Sequence, residues 1–124
     1  MNDAVKTVVV VGASPKRERY SNRAIRLLLE QGYRVIPVHP AHREIEGLQA
    51  VADLAYVEPP VHTVTMYVAC ERSRQLGPAI IALRPARVIF NPGAECPELE
   101  QELAEHGISC VRACTLVLLR CGEF

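Results

Sequence analysis

The sequence lacks an excess of charge of either sign, a long hydrophobic run and an export signal. Its 124 residues carry 14 Lys and Arg against 14 Asp and Glu, so no net field favours nucleic acid or an anionic membrane. The apolar stretches are too short to cross a bilayer, and residues 1–6 lack the basic start and apolar core of a signal peptide. We therefore expect a cytoplasmic protein of one domain, residues 1–124, with neither nucleic acid nor membrane as a partner.

The cysteines do not form a pattern that indicates a disulfide framework. Five are present, an odd number, no Cys-x-x-Cys pair occurs, and no export signal precedes them. We expect most of them to be small buried hydrophobic side chains rather than redox or metal-binding groups. They are Cys70, Cys96, Cys110, Cys114 and Cys121.

Apolar strands alternate with amphipathic helices along the chain, which predicts an α/β fold. Strands are expected at residues 6–11, 33–38, 63–69, 86–90 and 108–112. Helices are expected at 21–31, at 71–83 with a kink or a late helix start at Gly77-Pro78, and at 97–106. A closing helix is favoured over a further strand at 115–119. The alternation predicts a Rossmann-like, doubly wound parallel sheet of five strands in a three-layer α/β/α domain.

The first strand ends in a turn that suits a phosphate group. Gly12 interrupts a run of four valines, and Ser21 and Asn22, both N-cap residue types, open the next helix. Free backbone N–H groups and the positive end of the helix dipole would face a ligand there. The cations of the connection, Lys16, Arg17 and Arg19, are equally consistent with phosphate contacts and with a solvated loop.

The ends of the first four strands should converge on one crevice, because ligands of open parallel sheets bind outside the carboxyl ends of the strands. Familiar nucleotide motifs are absent from these ends. The sequence after the first strand is G-A-S-P-K-R instead of G-x-G-x-x-G, and no Walker motif occurs. His39 stands where NAD-binding proteins carry an acidic residue, which counts against NAD.

Several motifs together resemble the small stand-alone CoA-binding domain proteins, whose fold also forms the N-terminal domain of the succinyl-CoA synthetase α subunit. They are V-V-G-A-S, G-Y-R-V-I-P-V-H-P followed by E-I-E-G, N-P-G, and A-C-T-L-V-L-L. The resemblance extends from Thr7 to Phe124, and His39 departs from it because many relatives have asparagine there.

The resemblance implies coenzyme A, or an acyl-CoA, as the ligand. It places Gly12, Ala13 and Ser14 around the pyrophosphate and Ser21 on a phosphate. It also places Val38, His39 and Pro40 beside the adenosine, with Ile45 and Gly47 closing over it. Tyr67, Val68 and Ala69 would line the crevice, and Asn91, Pro92 and Gly93 would lie on the pantetheine side. By charge alone, Lys16, Arg17 and Arg19 suit the phosphates of CoA.

Non-catalytic binding is the function that these features favour. In the synthetases the catalytic histidine lies in a second domain, and no nucleophile–base pair or metal set is evident here; His39 and His42 lack further ligands. An NAD(P)-binding or redox protein, with the cations on a 2′-phosphate, and an interaction subunit with a vestigial site remain as alternatives. A homodimer or an unidentified protein partner stays open. For Cys70 and Cys96, near the crevice, burial is favoured over a mixed disulfide with the CoA thiol.

Overall fold

A parallel five-stranded sheet forms the centre of the computed structural model, which describes residues 5–124. Its strands are β1 (Thr7–Val11), β2 (Arg34–Val38), β5 (Thr63–Met66), β6 (Arg87–Phe90) and β7 (Ser109–Arg112). They lie in the order β2-β1-β5-β6-β7, so the chain moves outward from β1 in both directions. The predicted doubly wound α/β fold is confirmed.

A small hairpin and a short turn occupy the irregular stretch between β2 and β5. The hairpin consists of β3 (Glu44–Ile45) and β4 (Leu48–Gln49), and a 3-10 turn follows at Leu54–Tyr56. Val51 adds a further backbone contact by donating its N–H to the Pro37 carbonyl at 2.9 Å. This stretch is therefore fastened to the carboxyl end of β2 rather than loose.

The helices cover both faces of the sheet. They are α1 (Tyr20–Glu30), α2 (Cys70–Ser73), α3 (Gly77–Leu83), α4 (Pro97–Glu105) and α5 (Thr115–Arg120). A 3-10 turn at Arg74–Leu76 separates α2 from α3, which is the expected break before Pro78. The closing helix at residues 115–119 is likewise confirmed as α5.

Alternate side chains of each central strand enter two separate hydrophobic cores. Val8 and Val10 of β1 pack with Ile25 and Leu28 of α1 on one face. On the other face Val9 and Val11 belong to a larger core that also contains Ile80 of α3 and Leu103 of α4. This alternation, which follows from the period of two in a strand, produces the three layers.

One disulfide contradicts the expectation drawn from the cysteine pattern. Cys70 and Cys96 are bonded, with Cα atoms 4.9 Å apart, although 26 positions separate them in the sequence. Because β5 and β6 are neighbours in the sheet, the segments that follow them, α2 and the approach to α4, lie side by side. Cys110, Cys114 and Cys121 remain free thiols.

The turn after β1 depends on a glycine. Gly12 has φ +86°, and a Cβ atom built on it would lie 2.9 Å from the Tyr67 carbonyl oxygen and 2.9 Å from Val68 Cγ1. The ends of β1 and β5 therefore approach each other more closely than any side chain at position 12 allows.

Reduction of the Cys70–Cys96 bond is expected to lower the free energy of unfolding by about 3 kcal/mol, because the bond closes a long loop in the unfolded chain. Urea denaturation with and without a phosphine reductant measures this loss. A variant with both Cys70→Ser and Cys96→Ser should not respond to the reductant. Five titratable thiols in the unreduced protein, instead of three, would contradict the pairing.

Gly12→Ala should destabilise the protein more than Gly32→Ala does. Both glycines have positive φ, +86° and +91°, but a Cβ at Gly32 meets no atom within 4 Å. Gly32→Ala should therefore cost only the backbone conformational penalty, about 1 kcal/mol, and Gly12→Ala should cost about 1–3 kcal/mol more. Chemical denaturation of the two variants measures the difference, and equal losses would refute the close approach of the strands.

Candidate functional site

An open crevice of about 970 Å³ lies at the carboxyl ends of the strands, where the order of the sheet switches between β1 and β5. This volume is typical of small-molecule sites. Five segments form its walls: the turn after β1 with the start of α1, the end of β2, residues 52–54, the residues after β5, and the face of the α2–α3 segment. The crevice is therefore located where open α/β sheets bind ligands.

Most residues singled out from the sequence line this crevice. The structure brings together Gly12, Ala13, Ser14, Lys16, Arg19, Ser21, Val38, His39, Pro40, Tyr67, Val68 and Ala69. These residues come from three separate segments, so their convergence depends on the parallel sheet.

The other six predicted residues do not line it, and three of these belong to the loop and hairpin beside α1. The Arg17 guanidinium points away, with Nε 3.9 Å from the Glu46 carboxylate. Ile45 is 1 % exposed because its side chain belongs to the core beneath α1, and Gly47 is an exposed turn residue with φ +77°. The hairpin thus braces α1 instead of closing over the crevice.

The segment after β6, Asn91 to Gly93, also lies outside the crevice. The Asn91 side chain is 2 % exposed and donates hydrogen bonds to Thr65 Oγ1 at 2.7 Å and to the Met66 carbonyl at 2.9 Å. Its Oδ1 accepts from the Thr115 N–H at 2.9 Å. Asn91 therefore links β5, β6 and the start of α5, while Pro92 and Gly93 are exposed in the turn that follows.

Helix α1 points its amino-terminal end into the crevice without a side-chain cap. Arg19 occupies the N-cap position, no side chain within residues 5–124 accepts a hydrogen bond from the N–H groups of the first turn, and that turn contains no acidic residue. The helix begins one residue before the predicted Ser21. Its free N–H groups and the positive end of its dipole are thus available to an anion.

Hydrogen bonds fix the loop between β1 and α1. The Asn22 side chain donates to the Ser14 carbonyl at 2.8 Å, and the Ser14 hydroxyl accepts from the Lys16 N–H at 3.1 Å. The Ala13 N–H donates to the Val38 carbonyl at 3.3 Å, so it is already engaged with β2. The Ser14 N–H makes no hydrogen bond within residues 5–124, which leaves it as a donor for a ligand.

Positive charge predominates along the crevice although the whole chain is neutral. Lys16, Arg19 and Arg72 line it, and Asp53 is the one carboxylate among the described lining residues. Asp53 is also engaged locally, since its Oδ1 accepts the Ala55 N–H at 3.0 Å. The walls are thus suited to a ligand with several negative charges.

His39 is a neutral hydrogen-bonding group at the end of β2. Its Nδ1 accepts from the N–H groups of Ala41 at 2.9 Å and His42 at 3.3 Å, which assigns the ring proton to Nε2. Burial, followed by electrostatic interaction with His42 and Arg72, lowers the pKa of His39. His39 therefore offers a neutral donor where NAD-binding proteins present a carboxylate.

Tyr67 supports the crevice from beneath. Burial raises the pKa of Tyr67 to about 12, with the neighbouring Thr115 acting in the opposite direction. Its buried hydroxyl makes no hydrogen bond of normal geometry within the described part of the chain. The phenol stays protonated at neutral pH.

Sequence reasoning missed the wall contributed by the α2–α3 segment. Arg72, Gln75 and Leu76 line the crevice, at spacings of three and four residues. The same spacing was visible in the sequence, but only the tertiary structure shows that these residues border the crevice. His42 and Asp53 were missed for a different reason, because the irregular stretch that carries them gave no periodic signal.

Three groups with metal-binding chemistry lie together where the start of α2 meets the start of α4. Ligand atoms of Cys70, Cys96 and Glu98 are within 4.8 Å of one another, but the two sulfurs are bonded to each other and are not independent ligands.

None of the helices in residues 5–124 combines the length and hydropathy needed to cross a membrane.

Comparison with known proteins yields a family and several relatives. The family described as CoA binding domain matches residues 6–120. The uncharacterized protein YneT of Bacillus subtilis (strain 168) is 34% identical over 71 residues, which cover 57% of this chain and 50% of YneT. The match therefore spans half the length of that relative.

Solved structures agree with the fold over nearly the whole chain. The structure of cell-free ID.343 from Thermus thermophilus is 35% identical, with a TM-score of 0.88 over 97% of this chain and 91% of that one. The dinucleotide forming acetyl-coenzyme A synthetase 1 of Ca. Korarchaeum cryptofilum is 20% identical, with a TM-score of 0.71 over 85% of this chain and 25% of that one, which shows a shared fold. The extent of the family match decides the assignment: this chain is a member of the CoA binding domain family.

Proposed function

We propose that the protein binds coenzyme A or an acyl-CoA non-catalytically in the crevice between the ends of β1 and β5. The observation that carries the proposal is the uncapped start of α1, which faces a crevice lined by Lys16, Arg19 and Arg72. Coenzyme A carries a diphosphate and a 3′-phosphate, so it needs such a concentration of donors and positive charge. Membership of the CoA binding domain family supports the same ligand.

The diphosphate is assigned to the turn after β1. The unpaired N–H of Ser14 and the free N–H groups of the first turn of α1 are its donors, with the Ser21 hydroxyl beside them. Gly12 contributes by allowing the turn, because its own Cβ position is filled by the Tyr67 backbone. Ala13 contributes less than the sequence predicted, since its N–H already bonds Val38.

The adenosine is assigned to the end of β2. Val38 and Pro40 supply apolar surface there, and the Nε2–H of His39 supplies a neutral donor. Asn91, Pro92 and Gly93 are not assigned to the ligand, because the Asn91 side chain bonds within the protein.

A cytoplasmic location and a homodimer or other protein partner remain predictions from the sequence.

Coenzyme A should stabilise the protein against heat, and NADP should not. At a free concentration 100 times its Kd, a ligand specific for the folded state adds about 2.7 kcal/mol of stability. Dephospho-CoA, which lacks the 3′-phosphate, should give a smaller shift at the same concentration. Differential scanning fluorimetry with calorimetric titration measures these effects. If NADP alone stabilised the protein, the proposed CoA binding would be wrong and the protein would be an NAD(P)-binding protein instead. If none of the ligands changed the melting temperature, an interaction subunit with a vestigial site would be favoured.

Arg19→Ala should weaken CoA binding about tenfold, the loss of about 1.4 kcal/mol expected when an exposed charge-assisted phosphate contact is removed. Arg17→Ala is the matched control, because Arg17 belongs to the same loop but points toward Glu46 instead of lining the crevice. Calorimetric titration of both variants compares their Kd values. Equal weakening by the two substitutions would show that only the general charge of the loop matters.

A further inference from the structure

The Cys70–Cys96 disulfide has one accessible sulfur and one buried sulfur. Cys96 is 0% exposed, whereas Cys70 is half-buried. The Cys70 Sγ lies 3.8 Å from the carboxylate of Glu98, an exposed side chain that pairs with Arg74 at 3.3 Å. A thiolate arriving from solvent can therefore attack Cys70 but not Cys96, since disulfide exchange requires access to the attacked sulfur.

The accessible sulfur belongs to the residue that adjoins the crevice wall. Ala69 lines the crevice, and the Cα atoms of consecutive residues are about 3.8 Å apart. Arg72, Gln75 and Leu76, further along the same segment, line the crevice as well. Cys70 is not itself a lining residue, but it follows one and precedes three others, which places it at the rim of the crevice.

We propose that this disulfide is a thiol-exchange site for the ligand: the thiol of bound coenzyme A attacks Cys70 and forms a mixed disulfide with it. The proposal rests on the proposed binding of CoA. With the adenosine at the end of β2 and the diphosphate at the turn after β1, the pantetheine arm is directed toward the wall that follows β5, whose rim carries Cys70. An acyl-CoA, whose sulfur is blocked as a thioester, binds without reacting. The site thereby distinguishes free CoA, which is captured covalently, from acyl-CoA, which is released.

The exchange balances without an external oxidant. The CoA thiol loses its proton, and the resulting thiolate bonds to the Cys70 sulfur. The Cys70–Cys96 bond breaks with its electron pair on the Cys96 sulfur, which takes up a proton. One disulfide replaces another, and the new Cys96 thiol has the Cys70 carbonyl oxygen 3.7 Å away as a weak acceptor. In the reverse step the Cys96 thiolate attacks Cys70 and expels CoA.

Intact-mass spectrometry of the oxidised protein, incubated with CoA and quenched in acid, tests the proposal. The expected product is heavier by one whole CoA molecule, and peptide mapping places the adduct on Cys70. If air instead coupled CoA to a free cysteine thiol by oxidation, the protein would gain the mass of CoA minus two hydrogens. The intact mass therefore distinguishes disulfide exchange from oxidative coupling. Pantetheine, which lacks the nucleotide, should react about tenfold or more slowly at equal concentration, because it gains no local concentration from the crevice.

Cysteine variants identify the sulfurs. Cys70→Ser and Cys96→Ser should both abolish the reaction with CoA, while Cys121→Ser, which alters an exposed free thiol, should not change it. The Cys96→Ser variant lacks the sulfur that reverses the exchange, so it should accumulate the Cys70 adduct when given CoA disulfide. This variant detects the site even if the mixed disulfide of the natural protein is short-lived.

Desulfo-CoA, which has no thiol, separates failure of exchange from failure of binding. If desulfo-CoA stabilises the protein while neither the natural protein with CoA nor Cys96→Ser with CoA disulfide forms the Cys70 adduct, the exchange proposal is wrong and the binding function stands. Equal rates for CoA and pantetheine also overturn it. If neither CoA nor desulfo-CoA stabilises the protein, both proposals fail.

Discussion

The close contact between Gly12 and the backbone of Tyr67 is the constraint on which the crevice depends. With a hypothetical Cβ only 2.9 Å from the Tyr67 carbonyl oxygen, the end of β1 lies directly against the end of β5. The chain then has to turn outward, which separates the start of α1 from the α2–α3 segment. The space between those two segments is the crevice, so a feature of backbone packing creates the site.

A buried polar network fixes the end of β5 on its other side, next to β6. Asn91 bonds to β5 through Thr65 and Met66, and Thr115 bonds to both Asn91 and Thr65. Each of these side chains is at most 2 % exposed, and a buried polar group is costly unless its bonds are made. The network therefore fixes the ends of β5 and β6 relative to α5.

Strand and helix positions were predictable because the burial pattern is regular. The valines of β1 and the helical spacing of Ile25 and Leu28 each indicate their element without tertiary information. The sequence also indicated the glycine turn after β1, which lines the crevice. It could not show that the Ala13 N–H is engaged by β2, that Arg17 turns toward Glu46, or that Asn91 is an internal support. These outcomes depend on distances between segments remote in the chain, as does the Cys70–Cys96 bond.

A crystal structure of the protein with CoA tests the central claim most directly, because it locates the diphosphate relative to the turn after β1. We expect diphosphate oxygens within hydrogen-bond distance of the Ser14 amide nitrogen and of the first-turn amides of α1. An ordered CoA whose diphosphate lies away from residues 12–21, or a CoA bound outside the crevice, would contradict it.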